Sequence, residues 1–197
     1  MRTALISDIH GDLKRLIAVL ADIEKQNCAR ILCLGDVVNG SEDNEEVVQH
    51  LMASKILCVQ GNHDIYPSVH LPPELYGILR SWPEEIIEGD VIFTHVSPRI
   101  KKRKVKTDFE VWNVFDEVAF RRVFIGDVHI PMLWGERFAN PVSAKRYEIS
   151  YGDPFNLALD DRYLICVGAV GYSRDGDERP RYVIYDDESD SVTFRVV

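Results

Sequence analysis

Apolar positions along the chain change period in a regular way. Residues 2–7, Ile31-Leu32-Cys33-Leu34 and Ile56-Leu57-Cys58-Val59 contain short unbroken apolar runs, the pattern of strands buried on both faces. After the first run, Leu13, Leu16, Ile17, Leu20 and Ile23 recur at helical spacing behind Asp12, a residue type suited to cap a helix. After the second, an Asn39-Gly40-Ser41 turn leads into Val47, Val48, Leu51 and Met52 at the same period. Strands alternating with helices predict a largely parallel sheet with right-handed crossovers, covered on both faces.

Pro67, Pro72, Pro73 and Pro83 interrupt the next region, which reads as a loop and a short helix from Glu74 to Ser81. Glu85 to Phe93 predicts a hairpin turning at Gly89-Asp90. A helix is expected from Asp108 to about Phe120 and a strand at Val123-Phe124-Ile125. Beyond Pro131 the pattern becomes antiparallel, with strands expected at Met132 to Phe138, Lys145 to Ser150, Tyr163 to Val167, Tyr182 to Tyr185 and Val192 to Val196. No linker, repeat or low-complexity tract divides the chain, so residues 1–197 are expected to form a single domain. The expected fold is of the α/β class, a four-layer α-β-β-α sandwich of two mixed sheets flanked by helices. In it the βα half and the β-rich half would each supply one sheet.

Composition narrows the function. With 46% hydrophobic and 28% charged residues the chain reads as globular, and no apolar run approaches the roughly 18 residues of a membrane span. The Met-Arg-Thr-Ala start lacks a signal-peptide pattern. The four cysteines form no C-x-x-C pair and read as reduced core residues, so a cytoplasmic protein without a membrane partner is expected. A net charge of -9 argues against general nucleic-acid binding but allows a small phosphorylated substrate if cations sit in the site.

Residues able to hold a metal stand at five strand ends: Asp8 and His10, Asp36, Asn62 with His63, His95, and Asp127 with His129. Taken singly, each has a structural explanation: Asp8 and Asp36 as turn or capping residues, Asn62 as a turn residue, His95 as a core histidine. The repetition points instead to one metal site, because strand ends in α/β sheets converge. Carboxylates, a carboxamide and imidazoles suit hard or borderline divalent ions. His50 and His70 fall outside the pattern, and Asp64 reads as a turn residue or a supporting group.

These blocks, D-x-H, G-D, G-N-H-D, a later histidine and a variant of G-H-x-H, stand in the order in which the calcineurin-like metallophosphoesterase superfamily has them. The tail Gly168-Ala169-Val170-Gly171 with Arg174-Asp175-Gly176-Asp177 also resembles the ending of its small bacterial members. The resemblance implies two divalent ions (Mn, Fe, Zn, Ni or Mg) bridged by Asp36. One would be held by Asp8, His10 and His129, the other by Asn62, His95 and Asp127. It further implies hydrolysis of a phosphodiester or phosphomonoester by a hydroxide bridging the ions, with His63 steadying the phosphate or protonating the leaving oxygen. Phosphodiesters are favoured, because no arginine follows Asn39 as it does in the protein phosphatases.

Two departures qualify that reading. Asn39 stands where many relatives have the carboxylate that orients the G-N-H histidine, and Asp127 replaces the first histidine of G-H-x-H, so the second ion would be shifted, changed or weakened. The alternative is a non-catalytic protein-binding scaffold on the same fold, as the retromer subunit of this superfamily illustrates. Asn39, Ser97, Arg99 and Arg174 are candidate substrate contacts, although Ser97 and Arg99 equally fit a turn before Pro98. The basic run Lys101 to Lys106 reads either as a solvated loop or as a stretch that attracts an anionic substrate.

Overall fold

The computed structural model describes residues 1–140 and 143–197, with residues 137–140 described by their backbone alone. The first part follows the expected alternation: β1 (Arg2–Ile6), α1 (Leu13–Ile23), β2 (Arg30–Cys33), α2 (Asn44–Ala53) and β3 (Leu57–Cys58). A four-residue helix, α3 (Asn62–Ile65), precedes α4 (Pro73–Ser81) and the hairpin of β4 (Glu85–Glu88) and β5 (Val91–Thr94). Then come α5 (Asp108–Glu117), β6 (Arg122–Ile125), β7 (Met132–Asn140), β8 (Ser143–Tyr147), β9 (Pro154–Asn156), β10 (Tyr163–Cys166), β11 (Arg181–Asp186) and β12 (Ser191–Val196). No helix among the described residues is long and apolar enough to cross a membrane.

Local chemistry sets the helix ends. Asp12 accepts the Arg15 backbone N–H at 2.9 Å and caps α1. Thr107 and Glu110 form a reciprocal capping box at the start of α5. That helix ends at Glu117, before the expected Phe120, because the backbone is already extended at Val118.

Among the described residues two six-stranded sheets form, ordered β3-β2-β1-β11-β12-β9 and β4-β5-β6-β10-β7-β8. Neither sheet belongs to one half of the chain, contrary to the expectation. β1 pairs in parallel with β2, Ala4 opposite Ile31, and antiparallel with β11, Ala4 opposite Ile184. A buried central strand needs backbone partners on both edges, and the C-terminal strands supply the second edge. The strand expected at Lys145 to Ser150 is β8 and stops at Tyr147. β9 was not anticipated: it is a three-residue edge strand opening on proline, too short to show a period.

Alternation along β1 sorts the layers. Ala4 and Ile6 join a core with α1, α2 and α4, whereas Leu5 enters the core between the sheets with Phe93, Phe124 and Val183. A third core packs α5 against the outer face of the second sheet. The result is the α-β-β-α order of layers, with strand ends from both sheets meeting at one edge.

Candidate metal centre

The backbone leaves β1, β2 and β6 through left-handed residues. Asp8, His10, Asp36, Asp127 and His129 have φ between 51° and 63°, a region that few non-glycine residues enter and that concentrates at functional sites. Those turns interlock. The Asp8 N–H donates to the Gly35 carbonyl at 2.9 Å and the His10 N–H to the Asp36 carbonyl at 3.0 Å. At Gly61 a β-carbon would lie 2.2 Å from Asp36 Oδ1, and at Gly126 one would lie 2.1 Å from Ser7 Oγ and 2.9 Å from Asp8 Oδ2. Only glycine lets these loops close on the carboxylates.

Asp8, His10, Asp36 and His129, all buried, bring one ligand atom each within 4.8 Å of one another. His129 Nε2 lies 3.1 Å from Asp8 Oδ1 and 3.2 Å from His10 Nε2, and His10 Nε2 lies 3.7 Å from Asp36 Oδ2. The far nitrogens explain the aim of the rings. His10 Nδ1 meets the Asn39 carbonyl at 2.6 Å, His129 Nδ1 the Tyr172 carbonyl at 2.8 Å, and His95 Nδ1 the Leu34 carbonyl at 2.6 Å. A carbonyl only accepts, so each Nδ1 carries a proton, and in a neutral ring Nε2 then presents a lone pair to the centre.

His95 and Asp127 border the cluster. His95 Nε2 is 3.2 Å from Asp36 Oδ2 and 4.0 Å from Asp127 Oδ1. Asp127 donates its backbone N–H to Asp8 Oδ2 at 3.1 Å, and its Oδ1 receives the Lys104 ammonium at 2.7 Å. Asp8 Oδ1, His95 Nε2 and Asp127 Oδ2 are buried with no hydrogen-bond partner. Asn62, alone among the candidate ligands, is exposed, at the first position of α3.

The electrostatics call for a cation. Burial works against a charged His95, but the Asp36 carboxylate beside it, with Asp8 and Asp127, raises its pKa to about 10. Burial also opposes the charge on Asp36, yet His95, the His63 backbone N–H and His10 hold it down at about 2. Burial lowers the pKa of His10. Buried carboxylates and bare imidazole nitrogens at this density match the donor set of a hard or borderline divalent ion.

His63 stands at the open side, its Nε2 4.0 Å from Asp36 Oδ2 and its side chain 42% exposed. Asn39 holds it: the amide Nδ2 is 3.0 Å from His63 Nδ1, while Oδ1 accepts the backbone N–H groups of Ser68 and Val69. Those two donors fix which end of the amide is oxygen, so Asn39 donates to His63 Nδ1 and the ring proton resides on Nε2. Asn39 thus supports His63 in the place of the missing carboxylate. Asp64 binds beneath them, accepting the N–H groups of Asp36, Val37 and Gly61 at 2.8 to 2.9 Å. Burial and the nearby Asp36 raise its pKa to about 7.

The remaining candidates divide. Arg99 is committed to Glu117 of α5, and the buried Ser97 hydroxyl accepts the Arg103 N–H, so both act within the loop. Arg174 is at the rim, its guanidinium carbon 5.6 Å from the centre of the Tyr172 ring. Tyr172 itself lies against His129 and His10, at 4.5 and 5.1 Å between ring centres, and had no signal in the sequence as a site residue. His50 lines a groove formed by α1, α2 and β3, away from this edge.

Comparison with known proteins agrees with this architecture. A metallophosphoesterase of solved structure from Sphaerobacter thermophilus superposes with a TM-score of 0.88 at 30% identity, covering 100% of this chain and 88% of that one. An uncharacterized protein of Methanocaldococcus jannaschii is 31% identical over 213 residues, 94% of this chain and 82% of its own length. The symmetrical bis(5'-nucleosyl)-tetraphosphatase of Klebsiella pneumoniae is 35% identical over 92 residues, 45% of this chain and 31% of its own length. The calcineurin-like phosphoesterase model matches residues 1–166, a span that holds every buried residue of the cluster. On that match the chain belongs to the calcineurin-like phosphoesterase family.

Proposed function

We propose that the chain is a metal-dependent phosphoesterase acting on phosphodiesters or phosphomonoesters. The observation that carries this reading is the convergence of Asp8, His10, Asp36 and His129, with acceptors aimed inward and the buried Asp8 Oδ1 unpartnered. These four would hold a divalent ion, and His95 and Asp127 stand beside them for a second. Bound there, divalent ions supply a nucleophilic water near neutral pH and neutralise charge on the phosphoryl oxygens.

The chain's own groups do the rest. His63 presents Nε2–H at the open side, where it can hydrogen-bond a phosphate oxygen or give its proton to the leaving oxygen. The Arg174 guanidinium at the rim suits a bidentate contact with a phosphate. A scaffold that had lost its chemistry has no use for an amide locked by two backbone donors to aim His63. Manganese is the first metal to try, and the unpaired thiols of Cys28, Cys33, Cys58 and Cys166 fit a reducing, cytoplasmic setting.

Hydrolysis of bis(p-nitrophenyl) phosphate by protein stripped with EDTA and reloaded with Mn²⁺ tests the reading. We expect turnover that His63→Ala lowers about 10²- to 10⁴-fold. Absence of turnover of this diester and of p-nitrophenyl phosphate with Mn²⁺, Fe²⁺, Zn²⁺, Ni²⁺ and Mg²⁺ would contradict it.

A further inference from the structure

The basic loop is held down, and it delivers one ammonium into the site. Arg99 pairs with Glu117, Lys102 with Glu84, and the Arg103 N–H reaches Ser97 Oγ, while Lys106 and Thr107 donate their backbone N–H groups to Glu110. Val105 is 1% exposed, buried in the core beneath α5. With its neighbour so anchored, Lys104 sets Nζ 2.7 Å from Asp127 Oδ1. Asp127 is 2% exposed, its other oxygen has no partner, and His95 Nε2 beside it is also bare.

Charge counting gives the contact a role. Asp8, Asp36 and Asp127 bury three carboxylates in one site, and burying unbalanced charge is costly. With the imidazoles neutral, as metal ligands are, one divalent ion at the Asp8–His10–Asp36–His129 cluster cancels two of those charges, and the Lys104 ammonium cancels the third. A second divalent ion added with Lys104 in place would leave two positive charges in excess. Lys104 is half exposed on a flexible four-carbon stem, so it can swing out to solvent where a buried lysine could not.

We propose that Lys104 is the site's built-in second cation, so that the chain holds one divalent ion tightly and takes up a second only by displacing the ammonium from Asp127. The proposal rests on the reading of the cluster as a metal centre. It gives part of the basic run a fixed task at the site, and it explains how an aspartate is accommodated at position 127: the extra negative charge has its own lysine.

Calorimetric titration of EDTA-stripped protein with Mn²⁺, with bound ions counted by electron paramagnetic resonance, tests it without reference to activity. Wild type should bind one ion tightly and a second at least tenfold more weakly. Lys104→Met should tighten the second ion at least tenfold and yield a spin-coupled Mn²⁺ pair, whereas Lys104→Arg should behave as wild type. Lys104→Gln serves if the methionine variant fails to fold. A gain of less than tenfold in the neutral variants would overturn the proposal while leaving the metal centre standing. So would loss of inorganic phosphate affinity without that gain, which would make Lys104 a substrate contact. Failure of wild type and all variants to bind any Mn²⁺ would overturn the metal centre, and the proposal with it.

Discussion

Nε2 of His10 faces Nε2 of His129 across 3.2 Å, and both rings give their Nδ1 protons to backbone carbonyls. Two lone pairs at that distance repel unless a cation lies between them. Binding of Mn²⁺ should therefore stabilise the folded state, by about 2.7 kcal/mol at a free concentration one hundred times Kd. For a chain of this size that is a rise in Tm of about 5 to 10 °C. Differential scanning calorimetry should show the rise in wild type and its loss in His129→Ala; an equal rise in both would contradict the assignment.

Asp64 ties the loop after β2 to the loop after β3 through three backbone N–H groups. Asp64→Ala leaves those donors buried and unsatisfied, at about 1 to 3 kcal/mol each. Urea unfolding should show a loss of at least about 3 kcal/mol, with weaker Mn²⁺ binding because Asp36 loses its backbone anchor. A loss under about 1 kcal/mol would refute the anchoring role.

Asn39 donates to His63 Nδ1 and so keeps the ring proton on Nε2. In Asn39→Asp one carboxylate oxygen can keep the Ser68 and Val69 N–H groups while the other accepts from Nδ1–H, which favours the charged imidazolium. The histidine limb of the kcat/KM profile should then move to higher pH by about one unit or more. An unchanged profile would show that Asn39 does not govern the proton on His63.

In metal-free protein the His95–Asp36 pair makes stability depend on pH. The folded pKa of His95, about 10, lies above its ordinary value of 6.5, so its contribution is full below pH 6.5 and is lost as pH rises through 10. That of Asp36, about 2, lies below 3.8, so its contribution is full above pH 3.8 and is lost as pH falls through 2. Urea midpoints in EDTA should fall from pH 6 to pH 10, and His95→Gln should flatten that decline. Parallel wild-type and variant curves would count against the pair.

Much of the fold was legible because β1 and β2 are buried on both faces and α1 keeps a clean period. How the sheets assemble was not, since no local pattern says that Ala4 pairs with Ile184 at the other end of the chain. At the site, Asp8, His10, Asp36 and His129 announced themselves as polar residues ending apolar strands. Asp64 offered no such sign of its partners, because the donors it satisfies come together only when two loops converge. Lys104 was hidden in a run of like charges; what singles it out is the burial of its neighbour Val105, which charge alone does not reveal. Tyr172 was invisible for a related reason, since the tail loop reaches His10 and His129 only in three dimensions.

Anomalous scattering from crystals of Mn²⁺-loaded protein shows whether the four-residue cluster is a metal centre. An anomalous peak is expected ligated by His10 Nε2, His129 Nε2 and the carboxylates of Asp8 and Asp36. A fully loaded crystal with no peak there, or with its manganese bound only elsewhere on the chain, would contradict it.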